Sequence, residues 1–164
     1  MAYELIETIE VGSGGAASIE FTSIPQDGVD LVFVFSTRSG STTTSSVQIN
    51  SDTTIGSYLR VSLEGNGSSA TSDGGSSNAF FILTTPSSAT ADTFTNTQLY
   101  ISNYTSQANK SISVDNVQEN NGSAANIWLT ANSYATTSTI NSLKVNSQAG
   151  LFAEYSTASL YKIY

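Results

Sequence analysis

Residues 3–21 read Tyr3-Glu4-Leu5-Ile6-Glu7-Thr8-Ile9-Glu10-Val11, then Gly12-Ser13-Gly14-Gly15, then Ala16-Ala17-Ser18-Ile19-Glu20-Phe21. Successive side chains of a strand point to opposite faces. Tyr3, Leu5, Ile9 and Val11 therefore fall on one side of an extended chain, with Glu4, Thr8 and Glu10 on the other. After the glycine run, Ala17, Ile19 and Phe21 alternate with Ser18, Glu20 and Thr22. Two strands around a glycine turn predict a hairpin. Pro25-Gln26-Asp27-Gly28 is turn chemistry again. Leu31-Val32-Phe33-Val34-Phe35 is apolar on both faces, which predicts a strand covered on both sides, central in a sandwich or beneath a partner subunit.

The same period continues along the chain. Strands are expected over Ser46–Asn50, Tyr58–Glu64, Ala79–Leu83, Gln98–Tyr104, Ser111–Asp115, Ile127–Tyr134, Thr139–Val145 and Ser159–Tyr164. Between them, residues 39–45, 65–78, 84–93 and 119–126 are rich in Ser, Thr, Gly and Asn and read as separators. A short helical turn fits 51–57, and no other window favours a helix. Many short strands without helices predict one all-β domain over residues 1–164, an antiparallel β-sandwich of jelly-roll type.

Composition narrows the function. Nearly half of the 164 residues are Ser, Thr, Asn or Gly, yet 38% are hydrophobic and these alternate, which is the mark of a folded chain rather than a disordered one. The net charge is −8, and Arg38, Arg60, Lys110, Lys144 and Lys162 are scattered, so no basic face for nucleic acid is expected. Neither an apolar run long enough to span a bilayer nor a basic leader is present, so no membrane association is expected and synthesis belongs in a cytoplasm.

With no histidine and no cysteine, nucleophile–imidazole catalysis and thiolate or imidazole zinc sites are excluded. A carboxylate pair is the remaining catalytic option, but of the thirteen acidic residues Glu4, Glu7 and Glu10 lie on the leading strand and most of the others in or beside turns. The chain reads as a non-enzyme without a cofactor. Gly12-Ser13-Gly14-Gly15 has no lysine and no following helix, so it reads as a turn and not a phosphate loop.

Two oxygen-rich groups keep a hard cation open: Asn50, Asp52, Glu64, Asn66 and Asp73, and Asp115, Asn116, Glu119, Asn120 and Asn121. Their spacing matches no loop such as the EF-hand's. Aromatics supply the candidate interface residues: Phe33, Phe35, Trp128, Tyr155, Tyr161 and Tyr164. Trp128 lies on the opposite face from Ile127 and Leu129. It marks either a second buried surface or the core, with its neighbours outward in the latter case.

Several segments carry a resemblance. The opening YELIETIEVGSGGAASIEFTSIPQ (3–26), the stretch VQINSDTTIGSYLRVSLEGNGS (47–68), ISNY (101–104) with Lys110, and the tail STASLYKIY (156–164) resemble small virion-associated proteins of tailed phages, particularly aquatic ones. Lys162 stands where that closing motif has glycine. The resemblance implies a jelly-roll-like virion structural protein, either a capsid decoration (cement) or head-appendage protein. It further implies contacts with the major capsid protein or other virion proteins, a location on the particle surface and, from capsid symmetry, a homotrimer. The alternative it leaves open is a tail-fibre or tailspike domain that binds host glycans.

Overall fold

A computed structural model describes residues 2–118 and 125–164, which contain fourteen strands and no helix. In order these are β1 (Tyr3–Glu10), β2 (Ser18–Phe21), β3 (Asp30–Ser36), β4 (Arg38–Ser39), β5 (Thr44–Ile49), β6 (Tyr58–Gly65) and β7 (Ala70–Ser77). The rest are β8 (Phe80–Leu83), β9 (Thr85–Pro86), β10 (Asn96–Ile101), β11 (Lys110–Gln118), β12 (Asn126–Tyr134), β13 (Leu143–Ser147) and β14 (Thr157–Ile163). One antiparallel sheet runs β1-β14-β3-β10-β11-β12-β6-β7, and a second runs β2-β13-β5-β8. The short strands β4 and β9 pair in parallel beside them.

The wiring is that of a jelly roll. β1-β14-β3-β10 and β2-β13-β5-β8 each interleave early and late strands, so the chain crosses repeatedly between layers. Two hairpins are inserted into this plan, β6–β7 between β5 and β8, and β11–β12 between β10 and β13. They meet through β12 and β6 and lengthen the large sheet past β10.

Residues from both layers form the core. Leu31, Phe33 and Phe35 of β3 and Leu99 and Ile101 of β10 face Ile19 and Phe21, Val47 and Ile49, Phe80 and Ile82, and Leu143 and Val145. Phe21 meets Phe33 edge to face at 5.1 Å between ring centres, a favoured aromatic geometry. β3 is an interior strand, between β14 and β10. Its second apolar face is shielded within the same chain, because Val32 lies in register between Tyr161 and Tyr100.

Several local expectations are corrected. β1 and β2 do not form a hairpin. Gly12–Gly15 does turn, with Gly15 N–H donating to Gly12 O at 3.1 Å, but it carries the chain from one layer to the other. β1 pairs with β14 and β2 with β13. Gly15 has φ +76°, and a Cβ there would lie 2.6 Å from the Phe152 carbonyl oxygen, so only glycine fits this crossing.

The stretch 51–57 forms no helix. Asn50 and Ser51 both have positive φ, and Asp52 N–H donates to Ile49 O at 2.9 Å, which makes a tight turn. Residues 65–78 are not merely a separator either, since they contain β7, whose exposed Ala70–Ser77 lacks the apolar alternation that signals a strand. A bulge after Leu5 shifts the face of β1 partway along.

Candidate interaction surface

The inserted strands reverse the usual sidedness of a sandwich sheet. On β6 the side chains facing the small sheet are Tyr58, Arg60, Ser62 and Glu64, while Leu59, Val61 and Leu63 point away from it. On β12 Trp128, Thr130, Asn132 and Tyr134 face inward, and Ile127, Leu129 and Ala131 face out. Period-two alternation dictates two faces. Here it puts the polar face inside and the apolar face in solvent. Register aligns Leu129 with Leu63, Ala131 with Val61 and Val117 with Ile127, so these side chains form one continuous patch. Leu59, Val61, Leu63, Val117, Ile127 and Leu129 keep between 39% and 61% of their surface exposed. Beside this ridge is a hollow of about 420 Å³, with Ser113 and Ala131 as small floor residues, Tyr100 at one wall and Val61, Leu63 and Leu129 at the other.

The polar inner face is held by internal bonds. Arg60 pairs with Asp73 across β6 and β7, and Asn132 Nδ2 donates to Thr130 Oγ1 at 2.8 Å. Asn116 is fully buried and joins the layers. Its Oδ1 accepts from Leu83 N–H at 3.2 Å and from the Thr97 hydroxyl at 3.1 Å, and its Nδ2 donates to the Trp128 carbonyl at 3.4 Å. Tyr58 and Tyr134 close the near end, with Tyr58 packed edge on against Phe80 at 4.8 Å. Burial pushes both of their hydroxyls up from the ordinary value.

The six candidate interface residues are not brought together. Phe33 and Phe35 are wholly inside the core, so neither can touch a partner of the folded chain. Their apolar run is satisfied by two layers of one molecule. Trp128 is half-buried on the inner side while Ile127 and Leu129 point out, which is the neighbours-outward arrangement of the two that its register left open. Tyr161 is half-buried on the outer face beside Val32. Tyr155 is exposed in a loop with φ +68°.

Tyr164 is exposed at the end of β14 and donates to the Glu4 carboxylate at 2.7 Å. Next to it Lys162, largely buried, reaches Asp27 at 2.9 Å and Glu4 at 3.2 Å. The Tyr164 and Lys162 hydrogen bonds hold Glu4 below the usual carboxylate range, the Lys162 hydrogen bond does the same for Asp27, and Lys162 is raised. This ion cluster ties β1, β14 and the 25–28 turn together.

The candidate cation ligands disperse in the same way. Asn50 and Asp52 sit in the turn that leads from β5 into β6, where Asn50 Oδ1 accepts from Asn141 N–H at 2.8 Å and Asp52 accepts from Thr54 N–H at 2.8 Å and the Tyr134 hydroxyl at 3.1 Å. Burial works to raise Asp52, but the Thr54 and Ser57 hydrogen bonds outweigh it and the carboxyl is lowered. Glu64 and Asn66 lie at the other end of that strand, roughly 20 Å away at strand rise. Asp115 and Asn116 point to opposite faces, and Glu119, Asn120 and Asn121 lie outside the described residues. Among the described residues no three carboxylate, histidine or cysteine side chains gather.

All five basic side chains are engaged internally. Lys144 pairs with Glu20 at 3.5 Å. Arg38 donates to the carbonyls of Ser87, Ala89, Thr90 and Thr93. Lys110 donates to those of Ser106 and Ala108, and desolvation lowers its amine.

The fold and the site define the class: an all-β sandwich with jelly-roll wiring and a two-hairpin extension of one sheet. No family model, no curated protein and no solved structure matches the chain.

Proposed function

We propose that this chain is a non-catalytic virion structural protein of a tailed phage, a capsid decoration or head-appendage protein. It works on the particle surface through contacts with the major capsid protein or other virion proteins. The resemblance of residues 3–26, 47–68 and 156–164 to small phage particle proteins supports the location. The outward apolar patch on β6 and β12 carries the mode of action. Patches of this kind mark interaction sites on soluble proteins, and here the patch sits on insertions that the jelly roll itself does not need. Quantitative mass spectrometry of purified virions tests the reading. Roughly one or two copies per capsomer are expected on symmetry grounds, whereas about a dozen copies per particle would place the chain on the tail.

One observation favours glycan binding as a second reading. The half-buried Trp128 lies beside Glu64, Asn66, Thr71 and Asn126 in a small polar recess. An aromatic face among amides and hydroxyls is how proteins engage sugars. Under this reading Trp128→Ala removes glycan-array signal that the wild type shows; a wild type without signal ends it.

A further inference from the structure

We propose that the outer face of the extension is the contact between two copies of this chain, packed sheet to sheet about a twofold axis. This contact belongs to the protein free in solution; a face closed by a second copy is not open to a particle, so docking through the same patch would have to replace it. Three observations carry the inference.

The first is area. The exposed fractions of Leu59, Val61, Leu63, Val117, Ile127 and Leu129 leave about 500 Å² of apolar surface, at the upper end of what monomers leave uncovered. Two such faces bury about 1,000 Å² together before their rims are counted, which reaches the lower bound for a specific interface.

The second is shape. A twofold contact must be self-complementary, because the same patch meets itself. A ridge of Val61, Leu63 and Leu129 directly beside a hollow floored by Ser113 and Ala131 satisfies that requirement. When one copy is turned over upon the other, each ridge enters the opposite hollow, and its volume of about 420 Å³ admits more than one aliphatic side chain. A threefold ring would bury only part of each face at each contact.

The third is charge. The chain carries −8 overall, yet on the outward face of β6, β7, β11 and β12 the one charged side chain among the described residues is Asp115. Two copies therefore bring only one carboxylate each to the contact, at the Gln98 side of the hollow, where Asp115 lies in register between Leu129 and Gln98 and must keep its water.

Light scattering coupled to gel filtration on the purified full chain, at about 100 μM and about 1 μM, tests the proposal. The wild type is expected as a dimer at the higher concentration. The double variant Val61→Asp/Leu129→Asp is expected as a monomer, with its dissociation constant raised by about a hundredfold or more. Both positions are exposed, so the variant keeps the wild-type circular dichroism spectrum. Should it fail to fold, Ala131→Glu, which fills the hollow instead, replaces it. A wild type that is monomeric or trimeric, or a dimer that a folded variant leaves intact, overturns the proposal.

Discussion

Replacing Asn116 by alanine probes the joint between the two layers. β8 is the edge strand of the small sheet, and Leu83 N–H on its open side has the Asn116 carbonyl oxygen as its partner. The Thr97 hydroxyl, also fully buried, uses the same oxygen. Asn116→Ala leaves both donors without an acceptor in a region that water does not reach. Each such group costs about 1–3 kcal/mol, and partial relaxation lowers the sum, so the variant is expected to lose about 3 kcal/mol. With a urea slope of about 2 kcal/mol per molar for a domain of this size, the unfolding midpoint falls by about 1.5 M. Ser111→Ala, an exposed change on the same strand, is expected within about 0.5 kcal/mol of wild type. The assay is urea unfolding followed by tryptophan fluorescence, which reports from Trp128 across the joint, at one fixed protein concentration. A loss under about 1 kcal/mol for Asn116→Ala would refute the view that this amide locks the sheets.

Further outcomes follow from the ion cluster, the tyrosines and one strained residue. Glu4 and Asp27 have lowered folded values, so their contribution is present above the ordinary carboxylate range and is lost as pH falls through those lowered values, below about pH 4. Lys162, being raised, stays charged across that window. The melting temperature should therefore drop more steeply between pH 5 and pH 2 in the wild type than in Lys162→Met, and parallel curves would count against the cluster.

Ultraviolet titration should find that Tyr58, Tyr104 and Tyr134 resist ionisation through burial, and that Tyr100, hydrogen-bonded to Asp30, ionises near pH 12. Normal titration of all eight tyrosines in the folded protein would contradict this. Tyr155→Gly removes the cost of a bulky residue at φ +68° and is expected to raise stability by about 0.5–1 kcal/mol, read as a higher melting temperature; a fall would mean that the ring makes contacts that matter.

The legible part of the fold was its period. Alternation placed nearly all of the apolar strands within a few residues, and the double-sided run 31–35 located an interior strand of the large sheet. Pairing was not legible. The Gly12–Gly15 turn looks the same whether it closes a hairpin or passes between layers, because the decision rests with β14 and β13, more than a hundred residues away. β7 was hidden because an edge strand exposed on both faces needs no hydrophobic alternation.

The candidate surface was half legible. Leu59, Val61 and Leu63 alternate with Arg60, Ser62 and Glu64 in plain view, but such a pattern is read by default as apolar side inward. The structure inverts it where the inserted strands run beyond most of the small sheet: their inward side has little apolar surface to pack on and is polar, and the apolar side faces away from the second layer. Large aromatics drew attention for their area, yet Phe33 and Phe35 were already taken by the core.

Under the proposed function, this outward apolar face is the surface that meets the particle. The most direct measurement of that role is the occupancy of purified virions by the wild type and by Val61→Asp/Leu129→Asp, each supplied in trans to particles lacking the native copy. The account predicts that the folded variant falls to a tenth of wild-type occupancy or less, a loss of about 1.4 kcal/mol or more in binding. Equal occupancy of the two proteins would contradict it.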